Sequence, residues 1–470
     1  MSELQFKESN IVDAPFMASL LHKYSVNVPR YTSYPTAPEW KETFLEEDFI
    51  EANDRANKLK TPISLYFHLP FCESHCHFCG CNVVISKNRE IVNPYLDHIK
   101  KELTNLSKKI NKNRTVEQIH FGGGTPTYFT PDELKDLFNT IKNNFQISSN
   151  CEIGIEIDPR VTTYEHMKTL SELGFNRLSM GIQDFDLKVQ EAINRIQPFE
   201  ITEQIINFAR DFGFQSINVD LMYGLPFQTK ESFTKTIELI LELNPDRIAL
   251  FHYAHLPQML KHQAKYIPEN ALPPSQEKIE IFQYAVDALT KSNYIFVGLD
   301  HFAKPDDELT IAKKNKTLHR NFQGYTTKAG SDLYGFGITA ISNIQNIFSQ
   351  NIKKLNPYYI AIEEDVTPVF RGFVLEQDDL IRREVIMKIL CDGLVIKSDI
   401  EAKYNINFDK YFAFELGKLK ELEKDGLLLS ESLSSIEVTS LGQFFLRNIA
   451  SVFDYYLQNK NGQKTYSKSI

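Results

Sequence analysis

The sequence predicts an α/β protein in which strands and helices alternate along the chain, followed by a smaller, mostly helical region. Six segments rich in β-branched and aromatic residues are each followed by a helical segment, which is typical of a parallel sheet. After about residue 365 this alternation ends and helical patterns dominate. A chain of 470 residues is long enough for one large domain and a smaller one.

The predicted strands and helices follow one another in a regular order. The helix over 131–145 has the clearest start, because Thr130 and Glu133 have the spacing of a capping box. Strands are predicted at 63–70, 116–121, 151–158, 177–183, 216–224 and 247–253, with a seventh extended segment at 294–300. Helices are predicted at 94–110, 131–145, 163–173, within 186–212, and at 230–243 and 274–291.

The C-terminal region combines helices with a small predicted hairpin, as in a winged-helix module. Helices are predicted at 377–390, 398–404, 409–424 and 441–457, and extended segments at 426–432 and 435–440. Many winged-helix modules bind DNA, but from Val366 onward there are 14 Lys and Arg against 15 Asp and Glu. We therefore interpret this region as a cover for the preceding domain and expect no nucleic-acid partner.

Composition predicts a cytoplasmic protein. The net charge of −9 argues against non-specific binding to nucleic acid, and 42% apolar residues suit a globular core. No segment approaches the roughly 18 apolar residues of a membrane span, and the N-terminus lacks the pattern of a secretory signal. Reducing conditions keep cytosolic thiols free, so the six cysteines are not expected to form disulfides.

Four cysteines fall within the segment FCESHCHFCGCN (71–82), which follows the first predicted strand directly. A zinc site is one interpretation, with His75 and His77 as added ligands, but no second cysteine pair occurs elsewhere. An iron–sulfur cluster fits this compact spacing better. Cys79 and Cys81 are one residue apart, so three ligands and a spare thiol are the simpler arrangement. Such a cluster leaves one iron open to a substrate or cofactor.

Polar residues follow several of the other predicted strands, where chemistry on a parallel barrel takes place. The glycines of FGGGTPTY (121–128) allow close approach of a ligand, or form a tight turn. Glu156, on an apolar strand, needs a partner when buried, either a ligand or an arginine. Gln183 and Asp220 are half-buried polar candidates, and Arg195 is either functional or a solvated helix charge.

The C-x3-C-x2-C motif after a strand resembles the radical S-adenosylmethionine (SAM) superfamily. The resemblance implies a partial (β/α)6 barrel and one 4Fe–4S cluster with three cysteine ligands. It also implies that SAM binds the open iron and is cleaved by one electron to a 5′-deoxyadenosyl radical.

Further segments, in order along nearly the whole chain, narrow the resemblance to the oxygen-independent coproporphyrinogen III oxidases. They include PRYTSYPTA (29–37), IEIDPR (155–160), NVDLMYGLP (218–226), GLDHFAKPDDEL (298–309) and HRNFQGYTT (319–327). The family converts two propionates of coproporphyrinogen III to vinyl groups in heme biosynthesis, which implies a reduced donor such as a flavodoxin or ferredoxin.

The resemblance also implies the roles of individual residues. Cys72, Cys76 and Cys79 would ligate the cluster, whereas Cys81 would be a non-ligating cysteine with a catalytic role. Tyr66 would also act in catalysis. One or two SAM molecules would be bound. It is open whether the second location, at Gln183, Arg195, Asp220 and Ala254, is a SAM site or part of the porphyrinogen pocket. The SAM contacts would be Tyr66, Phe78, Gly123, Gly124, Thr125, Glu156, Gln183, Arg195, Asp220, Ala254 and Ile341.

A tetracarboxylate substrate needs cations and hydrogen-bond donors. Two candidate groups supply them. The first is Arg30 with Tyr31 and Tyr34, in a flexible arm that covers the barrel, although these aromatic residues could equally pack against it. The second group comprises His319, Arg320, Gln323 and Tyr325. We expect an arm or lid over 1–45, the barrel over 46–365 and the cover domain over 366–470, in a monomeric chain.

Two alternative functions remain. A related heme chaperone shares the cysteine motif and barrel, but PRYTSYPTA and HRNFQGYTT argue against it. A simple electron-transfer protein would not need an open iron or the GGGTP loop.

The cysteine spacing gives a direct test. Replacing Cys72, Cys76 or Cys79 with Ser should abolish the absorbance of the cluster, because each removes a ligand. Cys81→Ser, one residue further on, serves as the matched control and should retain iron while losing activity. Loss of iron only in Cys81→Ser would reverse the ligand assignment.

Overall fold

The computed structural model describes residues 14–430, 432–458 and Tyr466. Residues 1–13, the start of the predicted arm, lie outside the described residues. The chain forms two compact units. The barrel unit contains Trp40–Pro273 and Gly330–Leu375, and the helical unit contains the described parts of 1–39, 274–329 and 376–470. This division differs from the predicted domains, because 274–329 belongs to the unit with the C-terminal helices.

The six predicted strands of the barrel unit are confirmed. They lie side by side in chain order, and all neighbouring pairs are parallel. They are β1 (Ile63–Leu69), β2 (Thr115–Gly123), β3 (Gln146–Ile157), β4 (Arg177–Gln183), β5 (Ser216–Tyr223) and β6 (Arg247–His252). The connecting helices are Val92–Ser107, Pro131–Asn144, Tyr164–Leu173, Leu187–Ala192, Phe199–Asp211 and Lys230–Leu243. Thr130 caps its helix in the predicted capping box with Glu133.

Four further strands, which the sequence analysis did not predict, extend the sheet beyond β1. They are β7 (Asp332–Phe336), β8 (Ile341–Ile344), β9 (Ile347–Asn351) and β10 (Val369–Val374). β7 is parallel to β1, and the other three follow as antiparallel neighbours. The barrel unit also contains the short parallel pair Phe71–Cys72 and Val84–Ile85, and the helices Glu46–Leu59, Lys261–Tyr266 and Leu355–Glu363.

Alternation along β1 separates the two faces of the sheet. Phe67 packs between Phe336 and Phe121, with ring centroids 5.0 and 5.2 Å apart. On the opposite face, Ser64 donates a hydrogen bond to Gln118 at 2.8 Å. The first face therefore forms an apolar layer, while the second carries polar side chains.

The loops after β1 and β6 meet, although five strand spacings, roughly 24 Å in a flat sheet, separate these strands. The side-chain nitrogen of Gln263 donates to the carbonyls of Phe78 and Ala254, at 3.1 and 3.3 Å. This contact is expected of a sheet curved into a partial barrel.

The helical unit contains the predicted C-terminal helices, with altered limits. Its helices are Ala14–Lys23, Ser275–Lys291, Glu308–Asn315, Gln377–Asp392, Lys397–Tyr404, Phe408–Tyr411, Ala413–Lys424, Leu446–Ser451 and Tyr455–Gln458. Its antiparallel strand pairs are Ile295–Gly298 with His301–Ala303, His319–Asn321 with Gly324–Thr326, and Leu394–Ile396 with Ser435–Glu437. Short 3-10 turns in the two units cover Ala37–Glu39, Arg89–Ile91, Pro126–Tyr128, Glu269–Ala271 and Gly442–Phe445.

The predicted C-terminal hairpin is only partly formed. The segment from Ser435 pairs mainly with Leu394–Ile396, and its link to the other predicted segment is a single bridge between Leu428 and Val438. No helix in the described part of the chain is long and apolar enough to cross a membrane.

The described part of the predicted arm is folded, which corrects the expectation of a flexible segment. Leu20, Leu21, Tyr31 and Tyr34 are 3%, 1%, 1% and 0% exposed and lie in one apolar cluster with side chains of the C-terminal helices. Burial of these four side chains makes the segment part of the core of the helical unit.

One buried leucine and one exposed phenylalanine on helix Ala14–Lys23 test this packing. Leu21→Ala should lower the free energy of unfolding by about 2–4 kcal/mol, because it leaves a cavity in the core. Phe16→Ala, at a position 45% exposed on the same helix, should cost about 0.5 kcal/mol or less. Denaturant unfolding measures both, and equal, small effects would show that the segment is not part of the core.

Candidate active site

The four clustered cysteines lie at the carboxyl end of β1. Cys72 ends the short strand Phe71–Cys72, and a turn follows in which the amide of Cys79 donates to the carbonyl of Cys76 at 3.1 Å. All six cysteines of the chain are free thiols.

The surroundings of the thiols differ. Cys72 lies 3.3 Å from the hydroxyl of Thr125, and burial raises the pKa of Cys72 to about 11. Cys79 contacts the thiol of Cys81. This contact lowers the pKa of Cys79 to about 7 and raises the pKa of Cys81. Cys81 is thus the immediate neighbour of one predicted ligand.

The segment 71–82 with the four cysteines forms the cluster loop, and its two histidines are engaged in packing. The ring of His75 lies 4.2 Å from that of His262, and the ring of His77 stacks on Tyr266 at 4.3 Å. Among the described residues, no three His, Cys, Asp or Glu side chains surround one point as a single metal ion would require. A cubane cluster is held differently, since each thiolate binds its own iron corner.

The glycine loop after β2 is crowded by the protein itself. A Cβ at Gly123, whose φ is 114°, would lie 2.6 Å from the ring of His68, and one at Gly124 would lie 2.5 Å from the backbone of Pro70. A Cβ at Gly122 would lie 2.9 Å from the Glu156 carboxylate. These glycines allow the ends of β1, β2 and β3 to approach closely, whatever they also offer a ligand.

Glu156 has protein partners in this loop. Its carboxylate accepts from the Gly123 amide at 3.2 Å and lies 3.3 Å from Nε2 of His120. Burial alone would raise the pKa of Glu156, but the contacts with His120, the Gly123 amide and His68 together outweigh burial and hold the pKa below its ordinary value. The partner is a histidine rather than the arginine considered from the sequence.

Tyr66 lies beside this pair. Its ring stacks on His120 with centroids 6.1 Å apart, and its hydroxyl is 3.2 Å from Nδ1 of His68. Nε2 of His68 is in turn 3.0 Å from the carbonyl of Asn82, in the segment after the cysteines. The histidines therefore orient Tyr66 and Glu156, and the sequence analysis assigned them no role.

A buried carboxylate, Asp158, organises the other side of the cluster loop. It accepts from Arg160 at 2.6 Å and from Arg195 at 3.0 Å. Both guanidinium groups face Cys76, with nitrogens 3.8 and 3.7 Å from its sulfur. Arg195 also donates to the carbonyl of Gly181 at 2.7 Å. Arg195 was predicted, but Asp158 and Arg160 were not, although both lie in the quoted segment IEIDPR.

Several polar atoms here fit a polar ligand. Oε1 of Gln183 and Nε of Arg195 are buried without a hydrogen-bond partner among the described residues. Gln183 has a φ of 70°, a conformation that is rare for residues other than glycine. Burial raises the pKa of Asp220 to about 7, although its carboxylate accepts from Asn218 at 2.8 Å. Unpaired donors and acceptors of this kind fit the amine, carboxylate and ribose of SAM.

The remaining predicted SAM contacts lie in the same unit. Phe78 packs against an apolar cluster under the cluster loop. The carbonyl of Ala254, just after β6, accepts from Gln263, and Ile341 begins β8.

The predicted substrate groups lie in the helical unit. His319, Arg320 and Gln323 form the hairpin His319–Thr326. Arg320 is 5% exposed, and its Nε and Nη1, like Nε2 of Gln323, have no hydrogen-bond partner among the described residues. Burial lowers the pKa of His319 to about 4, and the charge of Arg383 adds to this shift. The hairpin thus holds a buried cation with open donor positions.

Tyr31 and Tyr34 are packed and hydrogen-bonded within the helical unit, and their substrate role stays a prediction. The hydroxyl of Tyr31 donates to Asp454 at 2.9 Å, and that of Tyr34 accepts from the amide of Tyr455 at 3.1 Å. Both rings are buried among the C-terminal helices. Arg30, which directly precedes Tyr31, is partly exposed. The rings of Tyr31 and Tyr34 therefore contribute to the core of the helical unit.

A match to a protein-family model indicates the class of protein to which the chain is similar. Residues 66–240, from Tyr66 in β1 to the helix after β5, match the model of the Radical SAM superfamily.

Relatives then define the family. The Synechocystis and Escherichia coli proteins named oxygen-independent coproporphyrinogen III oxidase are 48% and 43% identical to this chain. Their alignments cover 97% and 96% of it, and 98% of each relative. The solved Escherichia coli structure, described as coproporphyrinogen III oxidase and a radical SAM enzyme, superposes with a TM-score of 0.88 at 42% identity. The superposition covers 93% of this chain and 98% of the Escherichia coli chain. The chain belongs to the oxygen-independent coproporphyrinogen III oxidase family.

The Asp158 ion pairs yield a prediction. Asp158→Asn leaves two guanidiniums beside Cys76 without their carboxylate, and should lower the free energy of unfolding of the cluster-free chain by about 3 kcal/mol. Asp136→Asn, which breaks the exposed pair with Lys100, should cost less than about 1 kcal/mol. Equal costs in denaturant unfolding would contradict a buried network.

The pH dependence of the same variant supplies a second check. Arg195 and Arg160 outweigh burial and lower the pKa of Asp158 to about 2. Its stabilising contribution is therefore present above the unfolded pKa, about 4, and is lost as the pH falls toward 2. The difference between wild type and Asp158→Asn should narrow over that interval.

Proposed function

We propose that this chain oxidatively decarboxylates two propionates of coproporphyrinogen III to vinyl groups, giving protoporphyrinogen IX. The observation that carries this proposal is the 48% identity, over 97% of the chain, to a relative named for this activity. The overall change consumes two SAM and releases two CO2, two methionines and two 5′-deoxyadenosines. Each vinyl group also requires one electron to leave the substrate radical for an acceptor.

The superfamily implies a 4Fe–4S cluster and SAM. When bound, they supply the 5′-deoxyadenosyl radical that removes an unactivated β-hydrogen from a propionate. Cys72, Cys76 and Cys79 would hold the cluster, and Cys81 would remain unligated. The contacts of Arg160 and Arg195 to Cys76 place positive charge beside one ligand, where the cluster would carry negative charge.

The strand-edge residues would hold SAM. The amide of Gly123 donates to Glu156, and the hydroxyl of Thr125 lies beside Cys72. Glu156 stays ionised because its pKa is held low, so it can accept from a SAM hydroxyl or amine. Gln183, Arg195 and Asp220 offer further polar atoms, either to a SAM molecule or to the porphyrinogen substrate.

The hairpin His319–Thr326 would bind substrate carboxylates. Arg320 is the main candidate, because a buried guanidinium with open nitrogens favours a carboxylate strongly. His319 is neutral at pH 7, since its pKa is about 4, and would act as a hydrogen-bonding group rather than a cation.

The reaction also needs an electron donor and a cellular compartment. A reduced one-electron donor, such as a flavodoxin or ferredoxin, would supply the cluster, and we infer a monomer in the cytoplasm from the sequence. The heme chaperone is not favoured, because the near-full-length relatives carry the oxidase name.

An anaerobic assay tests the function. Reconstituted chain is mixed with SAM, a chemical reductant and coproporphyrinogen III, and protoporphyrinogen IX and 5′-deoxyadenosine are measured. Equal amounts of 5′-deoxyadenosine and vinyl groups are expected. Stable heme binding with SAM cleavage but no vinyl product would favour the chaperone.

Arg320 gives a sharper prediction for the substrate. Arg320→Met should raise the KM for coproporphyrinogen roughly tenfold or more, because one charged hydrogen bond contributes about 1.5–3 kcal/mol. SAM affinity should not change. Arg320→Lys keeps the charge and should recover part of the loss. An unchanged KM in Arg320→Met would remove the hairpin from the substrate site.

A further inference from the structure

The side chain of Gln263 joins two loops at the site and is 1% exposed. Its Nε2 donates to the carbonyls of Phe78 and Ala254 at 3.1 and 3.3 Å, and its Oε1 accepts from the amide of Leu256 at 2.7 Å. One side chain therefore satisfies three backbone groups that have no strand partner. Two of these groups belong to residues predicted to contact SAM.

The preceding residue reinforces this connection. Nε2 of His262 lies 2.8 Å from the carbonyl of Cys79. His262 and Gln263, two successive residues of helix Lys261–Tyr266, thus bind two successive carbonyls of the cluster loop. The carbonyl of Phe78 lies between two predicted cluster ligands, and that of Cys79 belongs to one of them.

The side chain of Gln263 joins the loops that follow the first and the last strand of the series β1 to β6. Strands β1 to β6 are joined side by side by hydrogen bonds, and within this series β1 and β6 have no pairing with each other. The loop after β1 carries Phe78, and the loop after β6 carries Ala254. Their separation is consequently fixed by side chains rather than by backbone pairing in the sheet.

We propose that Gln263 is a positioning residue that sets the distance between Phe78 and Ala254 and thereby the affinity for SAM. This inference rests on the proposed function and on the prediction, from the family resemblance, that both residues contact SAM. Displacement of bound reactants by about 1 Å is enough to reduce reaction rates strongly, so a rigid link at this position has a chemical consequence.

Gln190 provides a matched control. It is 3% exposed, its Nε2 donates to the carbonyls of Asp184 and Gln197, and its Oε1 accepts from the amide of Gln197. The two glutamines therefore make the same set of bonds in the same unit. None of the Gln190 bonds reaches the cluster loop or the loop after β6.

The experiment compares Gln263→Met with Gln190→Met in the full chain. Each variant leaves two carbonyls and an amide unpaired, so their melting temperatures should fall by similar amounts. SAM binding is measured from the EPR spectrum of the reduced, reconstituted chain during titration with SAM. Iron per chain is determined in parallel, and Gln263→Glu, which keeps volume and acceptor, is a second variant.

The proposal expects Gln263→Met to weaken SAM binding about tenfold, the effect of losing one or two net hydrogen bonds, while Gln190→Met binds SAM as the wild type does. Unchanged SAM affinity in Gln263→Met, or equal losses in both variants, would overturn it. Failure of both Gln263 variants to fold, with folded Gln190→Met, would show a general structural role and would also overturn it.

Failure of the proposed function is distinguishable from failure of this inference. SAM binding is read without coproporphyrinogen, so the comparison stands even if the wild-type chain produces no protoporphyrinogen. Conversely, full conversion of coproporphyrinogen by the wild type leaves the role of Gln263 to be decided by SAM affinity alone.

Discussion

The arrangement around the cluster loop depends on one buried carboxylate. Asp158 at the end of β3 binds Arg160 in its own turn and Arg195 after helix Leu187–Ala192. Arg195 also holds the carbonyl of Gly181 in β4, and both guanidiniums face Cys76. A buried charge of either sign would be costly alone, so these groups stabilise one another only in this geometry. The network thereby fixes three segments of the chain around one predicted cluster ligand.

The sequence was sufficient for the order of the main elements and for the class of site. Six strands, their parallel order and the helices between them follow from alternation of hydrophobic patterns, and the carboxyl ends of the strands collect the predicted polar residues. The strands between Asp332 and Val374 were missed, because they are short and their residues show no clear period. The folded N-terminal segment was missed because its partners, the C-terminal helices, are more than 300 residues away along the chain.

Individual contacts were harder to predict than residue types. Glu156 was expected to need a partner, but its histidine lies one strand away at a register that only the sheet defines. The glycines after β2 were assigned to ligand approach, whereas in the fold their lack of side chains also makes room for His68 and Pro70. Tyr31 and Tyr34 show the same limit, since an aromatic residue beside an arginine suits a ligand and a protein core equally well. Side-chain pairing across loops depends on the completed barrel, as with Gln263.

We propose that three cysteines hold a cluster whose fourth iron is open to SAM beside these strand ends. Mössbauer spectroscopy of the chain reconstituted with 57Fe tests it most directly, because it resolves the iron sites of one cluster. On addition of SAM, the signal of one iron is expected to change while the other three stay alike. Four iron sites that do not respond to SAM would contradict it.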